Sequence, residues 1–335
     1  MKLLMLTSHT THKSYDSVYA LPKAIKANFP DIGVYTTSLD ISVDHFNEKT
    51  SVVEFVEIDD GFSFDRRNDY YIRGRMQQCD IADFDVIFFR IDRIVDDPDR
   101  LYKYFAFVER CAPNAQYVNS PAGLIATSSK RFLENFPDLC PDFRIVNSLN
   151  EAIEEAQKYP IVLKPLGGYG GYGIIKVASR EDISVEGKDK SGEAAKEYLE
   201  SLPDSYFPVM AMRYLHNVTQ GDKRVIVVAG VCLGAVLRVP RAGNWMANLA
   251  QGATSEFAEP DQDELAIIDR VDPVLRDIGI TVYGIDTLVD DSGKRALSEI
   301  NTTNVGGFVQ IEANTGRPIL NEFAQLIIHR LGTVE

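Results

Sequence analysis

The sequence predicts an α/β protein with an open parallel-sheet domain at its N-terminus and two mixed α+β subdomains after it. Three observations point there. The chain has 335 residues, enough for two or three separate cores. Short apolar runs alternate with amphipathic helical stretches over its first part. Further on, β-branched runs come in pairs joined by glycine-rich or aspartate-rich turns.

Residues 2–6 and 85–89 are apolar runs of the kind buried in a parallel sheet. Between them, residues 59–83 are polar and poorly periodic and read as an insertion or loop. From 97 to 111, Leu101, Tyr104, Phe105 and Val108 recur at helical spacing. Val118-Asn119-Ser120-Pro121 reads as a strand ending in a turn, so the first domain is expected to span 1–122. A second unit, 123–213, opens a helix with the capping box Ser148–Glu151 and ends it before Pro160. Residues 161–164 and 174–177 are its strands, and 188–200 reads as polar surface with a short helix. The third unit, 214–335, should hold strands at 225–229, 234–239, 282–288 and 296–300. Its helices are expected at 262–275 and 319–331, with apolar faces on Ile267, Ile268 and Val271 and on Phe323, Leu326 and Ile327.

Composition excludes several classes. A formal net charge of -14 argues against a nucleic-acid binder, which needs a basic face to neutralise phosphates. It leaves room for a nucleotide, which needs only a few local cations. The longest apolar runs are too short to span a bilayer. The first of them stops at Thr7-Ser8-His9-Thr10, so it reads as a buried strand and a cytoplasmic protein is expected. Cys79, Cys111, Cys140 and Cys232 are scattered without CxxC spacing, which disfavours a zinc or redox motif.

Residues 168–173, Gly-Tyr-Gly-Gly-Tyr-Gly, match the G-x-G-x-x-G pattern. That pattern binds dinucleotides only between a strand and a helix. Here Ile174-Ile175-Lys176-Val177 is a second strand, so the glycines form the tip of a hairpin. Such a tip can fold over a triphosphate, because glycine lets backbone N–H groups approach its oxygens. Taken alone, it is equally a mobile turn. Lys164, just upstream, offers a compact charge for phosphate and favours the ligand-binding reading.

Late in the chain, Asp286 lies on one strand and Glu299 and Asn301 on the next, joined by Asp290-Asp291-Ser292-Gly293. Residues two apart on a strand share a face, so Glu299 and Asn301 point the same way. Three hard oxygen donors without His or Cys suit Mg²⁺ bound together with phosphate. Isolated, they would equally cap turns. Asp222-Lys223-Arg224 and Arg238 add guanidinium forks that match phosphate geometry, or form strand-end salt bridges.

In this order, the residues resemble the ATP-grasp superfamily, specifically the bacterial glutathione synthetases, from about residue 85 to 331. The blocks that carry the likeness begin at Ile161, Gly221, Arg238, Asn248 and Glu299. The resemblance implies two subdomains clasping ATP. Lys130, Lys164 and Gly168, Gly170 and Gly171 would contact phosphates. Met212, Arg213, Tyr214 and Leu215 would form an adenine hinge, mostly through backbone atoms. Asp222, Arg224 and Arg238 would surround the reacting groups, and Asp286, Glu299 and Asn301 would bind Mg²⁺, with Mn²⁺ as an alternative. Arg90 would sit near the acceptor dipeptide, and Arg241, Asn248, Thr303 and Asn304 would complete substrate binding. The implied reaction activates a carboxylate as an acyl phosphate and joins it to an amine, as with γ-glutamylcysteine and glycine.

Two segments depart from the family. Met246 and Thr254 stand where Arg is expected, with Arg241 a partial substitute, and Trp245 would shape the pocket or its lid. After Asn301, Thr302-Thr-Asn-Val-Gly-Gly replaces a Thr-Ser-Pro segment. These swaps keep a second ligase reading alive, with another short peptide or amide as product. A third, a nucleotide-binding regulator without turnover, fits poorly with a complete Mg²⁺ set. No nucleic-acid or membrane partner is expected, and homo-oligomerisation is left open.

Overall fold

The computed structural model describes residues 1–7, 16–38, 51–59, 62, 77–91, 98–167, 170–241, 243–247 and 252–332. Three sheets organise them. The first contains β1 (Lys2–Thr7), β2 (Gly33–Ser38), β3 (Val52–Glu57), β4 (Gln77–Asp80), β5 (Val86–Arg90) and β6 (Gln116–Val118), in the order β4-β3-β2-β1-β5-β6. β2, β1, β5 and β6 run parallel, as expected, while β3 and β4 add an antiparallel edge. β4 and the 3-10 turn Ile81–Asp83 lie inside the segment expected to be a loop. The strand is short and polar, with no period to reveal it.

Central β1 shows why its sequence is apolar throughout. Leu4 and Leu6 enter one core while Leu3 and Met5 enter another on the opposite face. Helices α1 (Ser17–Asn28), α2 (Pro98–Cys111) and α3 (Pro121–Ala126) complete this part. Each such Leu contributes about 2 kcal/mol by leaving water.

The second sheet is wholly antiparallel, in the order β11-β10-β9-β8-β12-β7. Its strands are β7 (Phe143–Val146), β8 (Ile161–Pro165), β9 (Ile175–Ser179), β10 (Asp182–Val185), β11 (Lys188–Ser191) and β12 (Val209–Arg213). α4 (Leu149–Ala156) and α5 (Glu193–Glu200) accompany it over a core of their own. β11 takes the first part of the segment read as polar surface with a short helix, and α5 is that helix. Ser148 caps α4 through the Glu151 N–H, but Glu151 reaches the Asn147 N–H instead of closing the expected reciprocal bond on Ser148.

The third sheet, also antiparallel, runs β15-β14-β13-β16-β17. It consists of β13 (Asp222–Val228), β14 (Val231–Val239), β15 (Thr254–Ala258), β16 (Val282–Val289) and β17 (Arg295–Asn301). α6 (Gln262–Asp277) packs on one face through Ile267, Ile268, Val271 and Leu275, in a core shared with Val225 and Val227. α7 (Phe308–Thr315) and α8 (Ile319–Arg330) cover the other, with Ile226 and Val228. Among the described residues, no helix is long and apolar enough to cross a membrane.

Asn119 joins the first sheet to the third. It adopts a left-handed backbone conformation, φ 56°, and its buried amide is saturated. Nδ2 donates to the carbonyls of Val282 and Thr302, both at 2.6 Å, and Oδ1 accepts the N–H groups of Thr281 and Val282 at 2.7 and 2.8 Å. Asn119→Ala should therefore cost about 3 kcal/mol or more through unpaired backbone groups. Urea unfolding measures this, and a loss below about 1 kcal/mol would contradict the joint.

Candidate active site

Strand register assembles the charged residues of the third sheet. Asp222 and Arg224 are two apart on β13 and share a face. Asp222 pairs across to Arg238, Arg224 to Asp286, and Asp286 to Glu299. Arg224 grips Asp286 with Nε and Nη2 donating to separate oxygens, both at 2.7 Å. Arg238 Nη2 lies 2.6 Å from Asp222 Oδ2 and 2.8 Å from Asp286 Oδ2. Asn301 Nδ2 also donates to Asp286 Oδ2, at 3.2 Å.

Asp286 and Arg238 are buried. Burial works to raise the Asp286 carboxyl, but Arg224 and Arg238 outweigh it and hold the group well below the usual carboxylate range. Asp222 behaves oppositely. Burial pushes it up to about 6 against the pull of Arg238, with Asp286 adding repulsion. Its Oδ1, buried, has no hydrogen-bond partner, and neither has Arg238 Nε.

A bulge in β17 brings the second sheet into this cluster. Asp286 pairs with Glu299 but Thr287 pairs with Leu297, leaving Ser298 without a cross-strand partner. Ser298 Oγ accepts Lys164 Nζ at 3.0 Å, and Met212 Sδ lies 3.3 Å from the same ammonium. Burial lowers the Lys164 pKa, partly offset by Glu299. Lys130 forms an ion pair with Glu299 at 3.0 Å. Sequence reasoning missed Ser298; its only signal was adjacency to Glu299.

Between the two sheets is a cleft of about 830 Å³. Lys130, Lys164, Gly170, Gly171, Met212, Arg213, Tyr214, Leu215, Asp222 and Glu299 all line it. β8 and β9 form the expected hairpin, and Gly170 and Gly171 take φ values of 66° and 82° that side chains disfavour. The Arg213 side chain turns outward to Asp291, 3.0 Å away. The Arg213 and Tyr214 N–H groups are held by the carbonyls of Asp142 and Pro160. Gly168 lies outside the described residues.

A second cleft, about 760 Å³, is lined by Lys130, Glu299, Asn301, Thr303 and Asn304 with Phe132 and Leu133 among others. The two clefts share Lys130 and Glu299. Arg90 belongs to neither lining. It is fully buried, donating to Ser17 Oγ at 2.7 Å, with Phe88 and Phe308 rings within 6 Å. Arg241 is exposed and also lines neither cleft, and Asn248 lies outside the described residues.

The residues fit a divalent cation only in company. Among the described residues, no three His, Cys, Asp or Glu would hold a cation by themselves. Asp286, Glu299 and Asn301 instead bring two carboxylates and an amide together on one strand pair, with Asp286 held by Arg224, Arg238 and Asn301 and Glu299 by Lys130. That set suits a cation completing its shell with phosphate oxygens and water.

A glycine hairpin on one sheet, a buried arginine–carboxylate cluster on the other and a cleft between them that both line define an ATP-grasp ligase, which uses ATP to form a C–N bond. Solved structures share the fold. The chain superposes on D-cycloserine synthetase DcsG with TM-score 0.62 at 13% identity, covering 98% of this chain and 99% of that one. It superposes on macrocyclase MdnB from Microcystis aeruginosa MRC with TM-score 0.60, also at 13% identity, covering 98% and 99%. The profile of "Prokaryotic glutathione synthetase, ATP-grasp domain" matches residues 129–316. Glutathione synthetase of Prochlorococcus marinus (strain MIT 9313) is 33% identical over 263 residues, 77% of this chain and 79% of that protein. The Brucella melitensis biotype 1 (strain 16M) glutathione synthetase is 30% identical over 259 residues, 76% and 77% of the two chains. The chain belongs to the prokaryotic glutathione synthetase family.

Asp286→Asn should destabilise the fold at neutral pH by about 3 kcal/mol, because it leaves two buried arginines short of charge. The folded carboxyl titrates below its ordinary value of 3.8. Its stabilisation is therefore present above that pH and lost as pH falls through the depressed folded value. Unfolding curves of wild type and variant should converge in acid; a constant gap would contradict the ion-pair account.

Proposed function

We propose that this ligase activates the cysteinyl carboxylate of γ-glutamylcysteine with ATP and joins it to glycine, forming glutathione, ADP and phosphate. The observation that carries the reading is the ion pair of Lys130 and Glu299, two residues that line both the nucleotide cleft and the second cleft. A carboxylate held in the second cleft would face the terminal phosphate of a nucleotide in the first. We take residues 1–122, 123–213 and 214–335 as substrate-side, lid and catalytic units.

The chemistry needs no nucleophilic side chain. A carboxylate oxygen attacks the γ-phosphorus as the bond to the ADP oxygen breaks, giving an acyl phosphate. The glycine amine then attacks the acyl carbon, phosphate leaves, and the amine loses a proton. Lys130, Lys164 and the N–H groups of Gly170 and Gly171 would neutralise and orient the phosphates. Arg224 and Arg238 would stabilise charge on the transferring group, with Asp222 orienting Arg238. Asp286, Glu299 and Asn301 would hold Mg²⁺, or Mn²⁺, which when bound offsets phosphate charge. The backbone of 212–215 would hold the adenine, and Thr303 and Asn304 would line the acceptor side. A closed glycine hairpin would keep water from the acyl phosphate.

A second reading, a different short peptide or amide, is favoured by one observation. Buried Met246 lines the nucleotide cleft at a position where an arginine was expected.

Phosphate release with Mg-ATP, γ-glutamylcysteine and glycine, omitting each in turn, tests the proposal. Release that requires both substrates, with glutathione formed, is expected. Release only with another acid and amine would discard glutathione as product. Glu299→Gln should lower turnover by at least about a hundredfold, in line with the loss of a charge-stabilising group, with the fold intact by circular dichroism. Near-normal turnover would remove Glu299 from the site.

A further inference from the structure

Residues 243–247 follow β14 and dock on the lid. Asn244 sits so close to the turn after β10 that a Cβ at Gly187 would lie 2.5 Å from its Oδ1. That oxygen also accepts the Met246 N–H at 3.0 Å. The Trp245 indole N–H donates to Ser184 Oγ, a buried group on β10, at 3.1 Å. The indole ring meets the Tyr214 ring edge-on, with centroids 6.0 Å apart. Lys176 Nζ stands 4.0 Å from the Tyr214 centroid.

These contacts place an indole beside the hinge, inside the nucleotide cleft. Trp245 lines that cleft together with Val162, Ile174, Tyr214, Leu215 and Leu288. These side chains offer apolar and aromatic surface, whereas Lys130, Lys164, Asp222 and Glu299 supply its charges. The cleft is thus chemically divided, as a nucleotide is.

We propose that Trp245 is a base-recognition residue. With Tyr214 it forms the wall against which the purine base seats, and its bond to Ser184 fastens that wall to the lid. The proposal rests on reading this cleft as the nucleotide site. Because Ser184 satisfies the indole N–H, the ring is free to meet the ligand through its apolar surface. Contact between a base and an aromatic side chain tolerates sequence context and contributes strongly to affinity.

The chain has one tryptophan, so its fluorescence reports position 245 alone. Titration with Mg-ATP should shift the emission, whereas Mg-tripolyphosphate, which lacks a base, should bind and leave it unchanged. Trp245→Ala should raise KM for ATP about tenfold, with a smaller effect on kcat. Trp245→Phe should recover most of the loss, and Ser184→Ala should fall between. Equal shifts with both ligands, or an unchanged KM in Trp245→Ala, would overturn the proposal. Equilibrium dialysis with labelled ATP separates the two ways of failing. ATP bound without an emission change overturns the base wall alone, and no ATP bound overturns the nucleotide site as well.

Discussion

A single buried carboxylate, Asp286, held by two guanidinium groups, organises the third sheet. Removing such charges from water costs several kcal/mol per ion and is recovered only with good geometry and full hydrogen bonding. Both Asp286 oxygens accept from Arg224, and one also accepts from Arg238. This arrangement depends on register. A slip of one residue between β13 and β16 would send Arg224 to the opposite face, where Lys223 now lies. That face has its own anchor, because Lys223 binds Glu264 at 2.8 Å and Thr287 Oγ1 donates to the other Glu264 oxygen at 2.6 Å. The sheet is therefore pinned at the same level from both sides.

Charge balance then suits the ligand. Asp222, Asp286 and Glu299 face Arg224, Arg238, Lys130 and Lys164, leaving the cluster cationic overall. A cationic, partly desolvated site favours a triphosphate whose charge grows on the transferring oxygens. Lys164 illustrates the energetics. Its burial disfavours the charged form, so an arriving anion stabilises the ammonium and gains strength from the low local dielectric. The second sheet supplies Lys164 and the third sheet supplies Ser298, so this one hydrogen bond also ties the two walls of the cleft together.

Much of this arrangement was legible in the sequence where periodicity or residue chemistry was strong. The hairpin reading of the glycine motif followed from β-branched residues after it, and Asp286, Glu299 and Asn301 do share one strand pair. What stayed hidden was context. β4 is short and polar, without an apolar period. Ser298 points to Lys164 only because of a bulge, and a bulge leaves no mark in a residue pattern. Arg90 was placed near the acceptor by the family resemblance alone, and nothing in the residue pattern signalled its burial beside Phe88, Phe308 and Ser17. Asn119, which joins two sheets through both ends of one amide, looked like an ordinary turn residue.

The most direct test of the account is to follow oxygen. γ-Glutamylcysteine labelled with ¹⁸O in its cysteinyl carboxylate is incubated with Mg-ATP and glycine, and the released phosphate is analysed by mass. Activation through an acyl phosphate predicts one ¹⁸O atom carried into each phosphate, with ADP as the nucleotide product. Unlabelled phosphate, or AMP in place of ADP, would contradict it.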